Sequence, residues 1–311
     1  MSERINWTSR LGFILASAGA AVGLGAIWKF PYLAGSNGGS AFLFPYLVLS
    51  FTIGLTLVIA EITLGRLGKG GIVTAYRTIA GKGWTVFGYL GILTGFCVLC
   101  FYSAIGGWTI SYFIDALLGN GIVTDVSELN AHFGALVSNP YISIGYQAAF
   151  LFLTAWVVLF DVAKGIERLN KILMPLLFVL VLILIVRGMT LPGAEKGIAY
   201  LFAWKPETFT WQSLLAAMGF TFFSLCVGCG CMLTYGSYLS KDTNLLTGCS
   251  WITFLATFSS ILGGLMILPS VFAFDLDPTA GPGLTFMTMP IVFAKLPFGQ
   301  AFAVIFYLCL V

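Results

Sequence analysis

Long apolar segments alternate with short polar ones along the whole chain. A helix needs about 20 apolar residues to cross a bilayer, and seven segments have roughly this length or more. An eighth begins near Phe298 and reaches Val311 after about half a crossing, so we expect a fragment of a longer protein. The seven predicted spans are 11–34, 41–65, 86–118, 143–161, 169–188, 211–239 and 245–273.

Composition supports a polytopic helical membrane protein. Of the 311 residues, 59% are hydrophobic and 9% are charged, whereas a soluble domain has roughly 25% charged residues. So few charges cannot cover the surface of a soluble fold, and the high hydrophobicity excludes a disordered chain. The long apolar segments also differ from the short alternating segments of a transmembrane β-barrel.

Basic residues predict the orientation. Cytoplasmic segments of membrane proteins carry an excess of Lys and Arg. With a cytoplasmic N-terminus, ten basic residues fall inside and four outside, which predicts a multi-pass protein of the plasma (inner) membrane. The inner set is Arg4, Arg10, Arg66, Lys69, Arg77, Lys82, Lys164, Arg168, Lys171 and Lys241, and the outer set is Arg187, Lys196, Lys205 and Lys295.

Three longer connections then lie on the outer side. Residues 119–142 carry Asp125, Glu128 and His132 but no Lys or Arg, and we interpret them as an outer loop. Residues 189–210 form a second connection. Residues 274–297 are rich in Pro and Gly, and this connection is either a lid over the protein or a plain connector.

Glycines near the middle of two spans predict interrupted helices. The first span contains Gly19, Gly23 and Gly25, and the sixth contains Gly228 and Gly230. Glycine destabilises helix interiors, although the G-x-x-x-G spacing in the first span also suits close helix packing. Breaks at corresponding positions of two repeats indicate a binding site at the membrane midplane. There the free N–H groups suit an anion and the free carbonyls suit a cation.

Several motifs resemble the neurotransmitter:sodium symporters, whose bacterial members move amino acids. They cover essentially the whole chain, and the motif of the first span is the most specific. The motifs are Arg10–Ala16, Ala18–Tyr32, Asn37–Phe42, Glu61–Arg66, Gly107–Trp108, Gly165–Pro175, Phe222–Gly230 and Thr234–Tyr238.

The resemblance implies an all-α membrane protein with the LeuT fold. Members of the family have two inverted five-helix repeats and two further helices. This chain would then be a single transmembrane domain, 1–311, with an incomplete repeat structure of seven full helices and part of an eighth. The first repeat would occupy 1–188, and a partial second repeat would occupy 211–311.

The resemblance also implies a substrate site. The amino-acid carboxylate would bind the N–H groups of Leu24 and Gly25, as a free helix end suits an anion, and the hydroxyl of Tyr102. The amino group would bind carbonyls of Ala21, Phe223 and Ser224, with the Phe223 ring as a lid. Val98, Cys226 and Cys229 would form the walls. Cys229 stands where a relative that prefers small aliphatic amino acids has a bulky aromatic residue, so a larger substrate becomes plausible.

Ion coupling is expected through sodium. One site would use carbonyls of Gly19 and Val22, with its remaining ligands beyond Val311. A second site would use Ala21 and Ser224, but its two asparagine positions read Ala26 and Leu255. Because a hard cation needs oxygen ligands, we expect this second site to be weakened and fewer sodium ions to bind.

Chloride is a further hypothesis. Tyr46, Ser224 and Ser259 match chloride ligands of chloride-dependent members, whereas Phe220 replaces a helpful glutamine. A proton carried by an acidic side chain at position 259 is excluded, because a serine stands there.

Charged and aromatic residues near the helix ends resemble the family's gates. Lys29 matches the cationic outer gate, although a lysine there can also simply extend to the interface. Arg4 and Trp7 resemble the inner gate, supported by Tyr238. Glu61 matches a carboxylate that braces the broken helices through backbone N–H groups.

The sequence thus predicts a transporter rather than an enzyme: a symporter that couples sodium to uptake of a neutral, hydrophobic or aromatic amino acid by alternating access. Two alternatives remain open, a truncated nontransporting membrane protein and a LeuT-fold exchanger or proton-coupled permease. The lipid bilayer and the amino acid are the expected partners, nucleic acid is not, and homo-oligomers remain open. The cysteines, most of them in apolar segments, are interpreted as small hydrophobic residues.

Overall fold

The computed structural model describes residues 10–22, 25–120, 125–159, 162–240 and 243–311, and only the backbone of helical residues 10, 11, 15, 20–22 and 162–171. Within these ranges the chain is α-helical and contains no β-strand, so the predicted all-α class is confirmed. The helices are α1 Arg10–Val22, α2 Phe30–Ser36, α3 Ser40–Leu49, α4 Leu55–Gly68, α5 Ile72–Ala80, α6 Thr85–Leu117, α7 Val126–Ser138, α8 Pro140–Leu159, α9 Val162–Met189, α10 Ala194–Phe202, α11 Trp211–Ser224, α12 Cys231–Ser237, α13 Leu245–Ala273, α14 Leu284–Ala294 and α15 Gly299–Leu310.

Five continuous helical stretches in the described ranges are long and apolar enough to cross a membrane, and they coincide with five predicted spans. Their outward faces carry large exposed apolar side chains, such as Phe96 and Phe152, which are both 64% exposed. In water such a surface would be unfavourable, whereas lipid accommodates it. The stretches are Ser40–Gly68, Lys82–Leu117, Pro140–Leu159, Ile172–Met189 and Leu245–Ala273.

Of the other two predicted spans, the sixth is interrupted, as its glycines indicated. In the first, α1 covers Arg10–Val22 and a π-helical turn, Gly25–Lys29, leads into α2; the two residues between them, where the predicted break falls, lie outside the described residues. Helix α11 ends at Ser224, and α12 begins only at Cys231. Between α11 and α12 the backbone adopts positive φ at Cys226, Gly228 and Gly230, where it cannot continue a right-handed helix.

Small residues let α12 pack directly on α4. A Cβ atom at Gly65 would collide with the carbonyl oxygen of Leu233, and one at Gly236 would collide with the backbone of Ile62. The two backbones therefore touch, as they do in membrane helix pairs built on small residues. This contact holds α12 against an uninterrupted span.

The three connections that the sequence placed on the outer side are more regular than it predicted. Residues 119–142, interpreted as a loop, contain helix α7, and helices α10 and α14 occupy parts of the other two connections. Tertiary packing explains the difference. Phe133 of α7 packs edge-on against Trp108 at 5.2 Å and stacks on Phe286 of α14 at 6.2 Å. His132 of α7 lies 3.3 Å from Asp115 of α6.

Helix α13 runs through the centre of the bundle and is the most enclosed of the five long stretches. It contacts α1, α2, α4, α9 and α10. Gly263 allows this approach, because a Cβ atom there would lie 2.5 Å from the carbonyl oxygen of Ala26. Helix α1 thus packs against α13, and helix α12 packs against α4.

Candidate functional site

A carboxylate from α4 organises the break between α11 and α12. The N–H of Gly228 donates to Oε1 of Glu61 across 2.6 Å. A hydrogen bond to an ionised acceptor is about twice as strong as a neutral one, and the non-helical Gly228 has no helical carbonyl to pair with. The structure therefore supports the bracing role that the sequence assigned to Glu61.

A cavity of about 640 Å³ lies where the two broken helices and α6 meet. This volume is within the range of small-molecule sites, roughly 300–1,000 Å³. Most of its surface is apolar, and its polar groups come mainly from the two breaks. The lining residues are Gly19, Gly25, Lys29, Thr94, Gly95, Val98, Leu99, Phe101, Tyr102, Gly219, Phe222, Phe223, Ser224, Cys226, Val227, Cys229 and Cys231.

The polar end of the cavity is formed by Tyr102 and Gly25. The backbone of Gly25 lies beside the Tyr102 hydroxyl, which places a phenolic O–H at the start of the π-helical turn. A Cβ atom at Gly25 would lie 2.9 Å from Cε1 of Phe223, so a larger residue would displace the Phe223 ring. The two broken helices therefore approach each other at this point.

Aromatic rings cover one side of the cavity, with a cation above them. The ring of Phe223 lies 6.1 Å from that of Phe101 and 6.5 Å from that of Tyr102. Nζ of Lys29 lies 3.6 Å from the centre of the Phe223 ring and 5.4 Å from that of Phe101. These distances are those of cation–π contacts, so Lys29 is held over the aromatic cover.

Thiols form the opposite part of the wall. The Sγ of Cys229 donates to the carbonyl oxygen of Cys226 at 3.3 Å. Cys226, Cys229 and Cys231 all line the cavity. Among the described residues, no group of three His, Cys, Asp or Glu side chains is arranged to hold a metal ion.

A buried hydroxyl cluster lies behind the cavity. The Tyr46 hydroxyl contacts Oγ of Ser224 at 3.3 Å and donates to Oγ of Ser260 at 3.1 Å. The hydroxyls of Ser50 and Thr257 lie beside it, and within the described ranges neither has a hydrogen-bond partner of good geometry. The cluster therefore offers several hydroxyl donors in an enclosed, uncharged space.

This cluster differs by one residue from the predicted chloride set, which stays a prediction. The sequence grouped Ser259 with Tyr46 and Ser224, whereas the hydroxyl that contacts Tyr46 belongs to Ser260. Successive positions of a helix point about 100° apart, so a shift of one residue turns a side chain to a different neighbour.

The remaining predicted residues fall into three groups. The cavity unites most of the predicted substrate set with Gly19 and Lys29: Gly25, Val98, Tyr102, Phe223, Ser224, Cys226 and Cys229. Ala21 and Val22 lie in the last turn of α1, and Tyr238 follows the last residue of α12. Arg4, Trp7 and Leu24 lie outside the described residues.

Helical periodicity could have found several residues that the sequence analysis missed. Thr94, Gly95 and Phe101 line the cavity beside Val98 and Tyr102. Three or four residues separate neighbours on one helix face, so extending the pattern of Val98 and Tyr102 backwards leads to Thr94 and Gly95.

Comparison with known proteins agrees with this architecture. The model of the sodium:neurotransmitter symporter family matches residues 4–122 and 143–311. A crystal structure of MhsT in complex with L-phenylalanine superposes with a TM-score of 0.94 at 41% identity, covering 99% of this chain and 70% of that one.

Two relatives, one bacterial and one human, illustrate the similarity. The uncharacterized sodium-dependent transporter YhdH of Bacillus subtilis is 39% identical over 97% of this chain and 68% of its own length. The human sodium- and chloride-dependent GABA transporter 2 is 29% identical over 99% of this chain and 59% of its own length. This chain therefore spans about two thirds of the bacterial relative. The interrupted sixth span beside a cavity, the LeuT fold and the family match lead to one conclusion: the chain belongs to the sodium:neurotransmitter symporter family, a family of membrane transporters and not of enzymes.

Proposed function

We propose that this chain carries the substrate site of a sodium-coupled symporter for a neutral, hydrophobic or aromatic amino acid. The observation that carries the proposal is the cavity beside α6 and the break between α11 and α12, which has Tyr102 and Gly25 in its wall and a mostly apolar lining. An amino acid with an apolar side chain likewise has a polar end, its ammonium and carboxylate groups, and an apolar end, its side chain. Transport then proceeds by alternating access, with the cavity opening to one side of the membrane at a time.

The substrate backbone binds at the polar end. Its carboxylate accepts hydrogen bonds from the N–H groups of Leu24 and Gly25 and from the Tyr102 hydroxyl. Its ammonium group donates to carbonyls of Ala21, Phe223 and Ser224, the three that the family resemblance implies. The Phe223 carbonyl already accepts from the N–H of Cys226 at 3.1 Å, and its second lone pair stays available.

The substrate side chain extends towards Val98, Cys226 and Cys229. These three side chains are small, and the cavity that they line is large enough for an aromatic ring. The structure of MhsT holds L-phenylalanine, which supports an aromatic or large aliphatic substrate for this chain as well.

The protein binds fewer sodium ions than the family members that have two sodium sites. Carbonyls of Gly19 and Val22 contribute to one site. At the second site, Ala21 and Ser224 remain, but Ala26 is fully buried without a side-chain oxygen, and Leu255 packs against Ala18 and Met174. An apolar side chain cannot replace the lost oxygen ligands.

Chloride is a candidate co-ion at the hydroxyl cluster of Tyr46 and Ser224. Buried hydroxyls without partners suit an anion, because each O–H can turn to donate. The name of the human relative includes chloride dependence. In the proposed site Ser260 takes the place first given to Ser259.

The gates complete the cycle. Lys29 closes the outer side over Phe223, and Arg4 and Trp7 close the inner side with support from Tyr238. In this arrangement the N-terminus is cytoplasmic, 1–188 is the first inverted repeat, and 211–311 belongs to the second.

Ligand binding tests the proposal directly. The purified protein in detergent is titrated with radiolabelled phenylalanine in sodium chloride and in choline chloride. We expect saturable binding that requires sodium and is displaced by leucine but not by glutamate. Absence of binding to monodisperse, folded protein would overturn the proposal.

The weakened second sodium site favours one alternative, a proton-coupled permease of the same fold. Uptake into proteoliposomes distinguishes the two. Accumulation that follows an imposed pH gradient in the absence of sodium supports the permease, whereas accumulation that follows only a sodium gradient supports the symporter.

A further inference from the structure

The connection between the first two long membrane stretches carries cations and aromatic rings that amino-acid binding does not use. The stretch Ser40–Gly68 ends and the stretch Lys82–Leu117 begins on the same side of the bilayer, because the residues between them are too few to cross it. Helix α5 and the turn that follows it therefore lie at one membrane face.

Hydrogen bonds fold the end of α5 and the start of α6 into one compact turn. The N–H of Gly81 donates to the carbonyl of Arg77 at 3.2 Å, and the N–H of Trp84 donates to the carbonyl of Gly81 at 3.2 Å. The Thr85 hydroxyl donates to the carbonyl of Lys82 at 2.7 Å. The side chains of Arg77, Lys82 and Trp84 consequently project from one turn.

The aromatic part of this turn has the character of a membrane-interface anchor. The indole of Trp84 stacks on the ring of Phe87, with the ring centres 5.3 Å apart, and Phe87 lies 6.3 Å from the ring of Tyr76 on α5. Trp84 is nevertheless 53% exposed. Trp and Tyr are enriched where a protein passes from the lipid core to the headgroups, so these rings place the turn at headgroup depth.

The charge of this turn is positive and has no acidic counterpart nearby in the sequence. Arg77 and Lys82 are both exposed. No Asp or Glu occurs from position 62 to position 114, and in the part of the chain that the structure describes neither cation forms an ion pair. Their charges are therefore available to an anion at the membrane surface.

We infer that Arg77, Lys82 and Trp84 form a binding site for the headgroup of an anionic phospholipid. The planar guanidinium of Arg77 suits two phosphate oxygens at once, and the ammonium of Lys82 adds a second positive charge. The indole of Trp84 has an N–H donor and an apolar ring, which suit the boundary between headgroup and acyl chain. A free phosphate ion would use the two cations but not the indole. The site does not depend on the proposed amino-acid transport.

A third cation separates such a site from general surface charge. Lys69 is exposed at the same membrane face, but it precedes α5, whereas Lys82 follows it. Diffuse attraction to anionic lipid depends on the number of basic residues near the surface, so it would involve Lys69 and Lys82 equally. The proposed site involves Lys82 alone of these two.

Native mass spectrometry measures the binding. The purified protein in detergent is titrated with phosphatidylglycerol, with phosphatidylcholine or with inorganic phosphate, and the retained ligand is identified from the added mass. We expect one phosphatidylglycerol to be retained roughly tenfold more tightly than phosphatidylcholine, which has no net charge. Equal retention of the two lipids, or displacement of phosphatidylglycerol by inorganic phosphate, would overturn the proposal.

Matched variants locate the site. Arg77→Gln and Lys82→Gln should each weaken phosphatidylglycerol binding roughly fivefold, the effect of one basic residue at an anionic surface. Trp84→Ala should weaken binding although it leaves every charge in place, and Lys69→Gln should bind as the unsubstituted protein does. Equal weakening by Lys69→Gln and Lys82→Gln would assign the binding to general surface charge and refute a built site.

Lys205 provides a control at the opposite membrane face, because three of the long stretches separate it from the turn. It is exposed beside Trp204, which is 50% exposed and thus resembles Trp84. Glu207 follows closely in the sequence, however, and offsets the positive charge. Lys205→Gln should therefore leave phosphatidylglycerol binding unchanged, and a fivefold loss there would contradict the assignment to the turn.

Hydrogen exchange maps the site without any substitution, so a variant that fails to fold does not prevent a decision. Phosphatidylglycerol should slow exchange of the backbone amides of 77–85 relative to phosphatidylcholine. Unchanged exchange in this segment while the lipid is retained, or slower exchange around Lys205 instead, would overturn the proposal.

Discussion

Gly228 and Glu61 lie on different spans, and the N–H of the one donates to the carboxylate of the other across 2.6 Å. The contact fixes the middle of an interrupted helix to an uninterrupted one. In the described part of the chain, the second carboxylate oxygen of Glu61 is buried without a hydrogen-bond partner of good geometry. Burying a carboxylate oxygen without a partner costs free energy. This cost fits a structural role for Glu61 as a brace beside the cavity.

Replacing this carboxylate should destabilise the break. We expect Glu61→Ala to lower the free energy of unfolding by about 2 kcal/mol, the value of a hydrogen bond to a charged group. Glu61→Gln keeps an acceptor oxygen and should cost less. Thermal unfolding in detergent measures both, with Glu207→Ala on an exposed turn as the control. Equal melting temperatures for Glu61→Ala and the control would contradict the brace.

The Tyr102 hydroxyl should contribute to substrate binding. Tyr102→Phe removes one donor to the proposed carboxylate position while keeping the ring, so we expect phenylalanine affinity to fall roughly tenfold to a hundredfold. Tyr89→Phe, on an exposed part of the same helix, should bind normally. Equal dissociation constants for the two variants would show that the Tyr102 hydroxyl does not contact the substrate.

The wall at Cys229 should set the size of the substrate. Cys229→Phe fills the space that an aromatic substrate needs, so we expect phenylalanine binding to be lost and alanine to compete better than before. Competition binding on the purified protein checks this, and Cys97→Phe on the exposed side of α6 is the control. Undiminished phenylalanine binding by Cys229→Phe would show that the side chain lies elsewhere.

The hydroxyl cluster should confer sensitivity to chloride. We expect sodium-dependent binding to weaken when gluconate replaces chloride, because the enclosed hydroxyls then lack their anion. Tyr46→Phe should abolish this difference, and Tyr141→Phe, on an exposed position of α8, should retain it. Identical binding in the two salts by the unsubstituted protein would refute a functional chloride site.

Helix α7 should lose its N-terminal cap in acid. The Ser127 hydroxyl donates to the Asp125 carboxylate at 2.8 Å, and the Ser127 backbone N–H donates to it at 3.0 Å. These hydrogen bonds, that of the hydroxyl first, lower the pKa of Asp125 below its ordinary value of 3.8. A lowered folded-state pKa gives stability that is present above the ordinary value and is lost as pH falls through the lowered one.

Hydrogen exchange of Val126–Ser138 measures this dependence. We expect protection of the first turn to decrease below pH 3.8 in the unsubstituted protein. Asp125→Asn keeps an acceptor for the cap but has no charge to titrate, so its protection should not change in this range. A parallel decrease in both proteins would assign the effect to another group.

The apolar segments and the glycines of the sequence predicted much of the fold, because a bilayer permits few backbone arrangements. Every backbone group within it must be satisfied, so a span of about 20 apolar residues is helical wherever it is found. The break in the sixth span followed from its glycines. Helices α7 and α14 could not be predicted in this way, because they pack against Trp108 and against each other, and these contacts leave no pattern in the sequence.

The sequence by itself determined the spans, the break in the sixth span, the family and most residues of the cavity, because these depend on local composition and on motifs. Tertiary structure alone decided which side chains meet: Ser260 at Tyr46 in place of Ser259, and Lys29 over the ring of Phe223. The reason is geometric. A helix turns by about 100° per residue, and only the packing of one helix on another selects the face that is used.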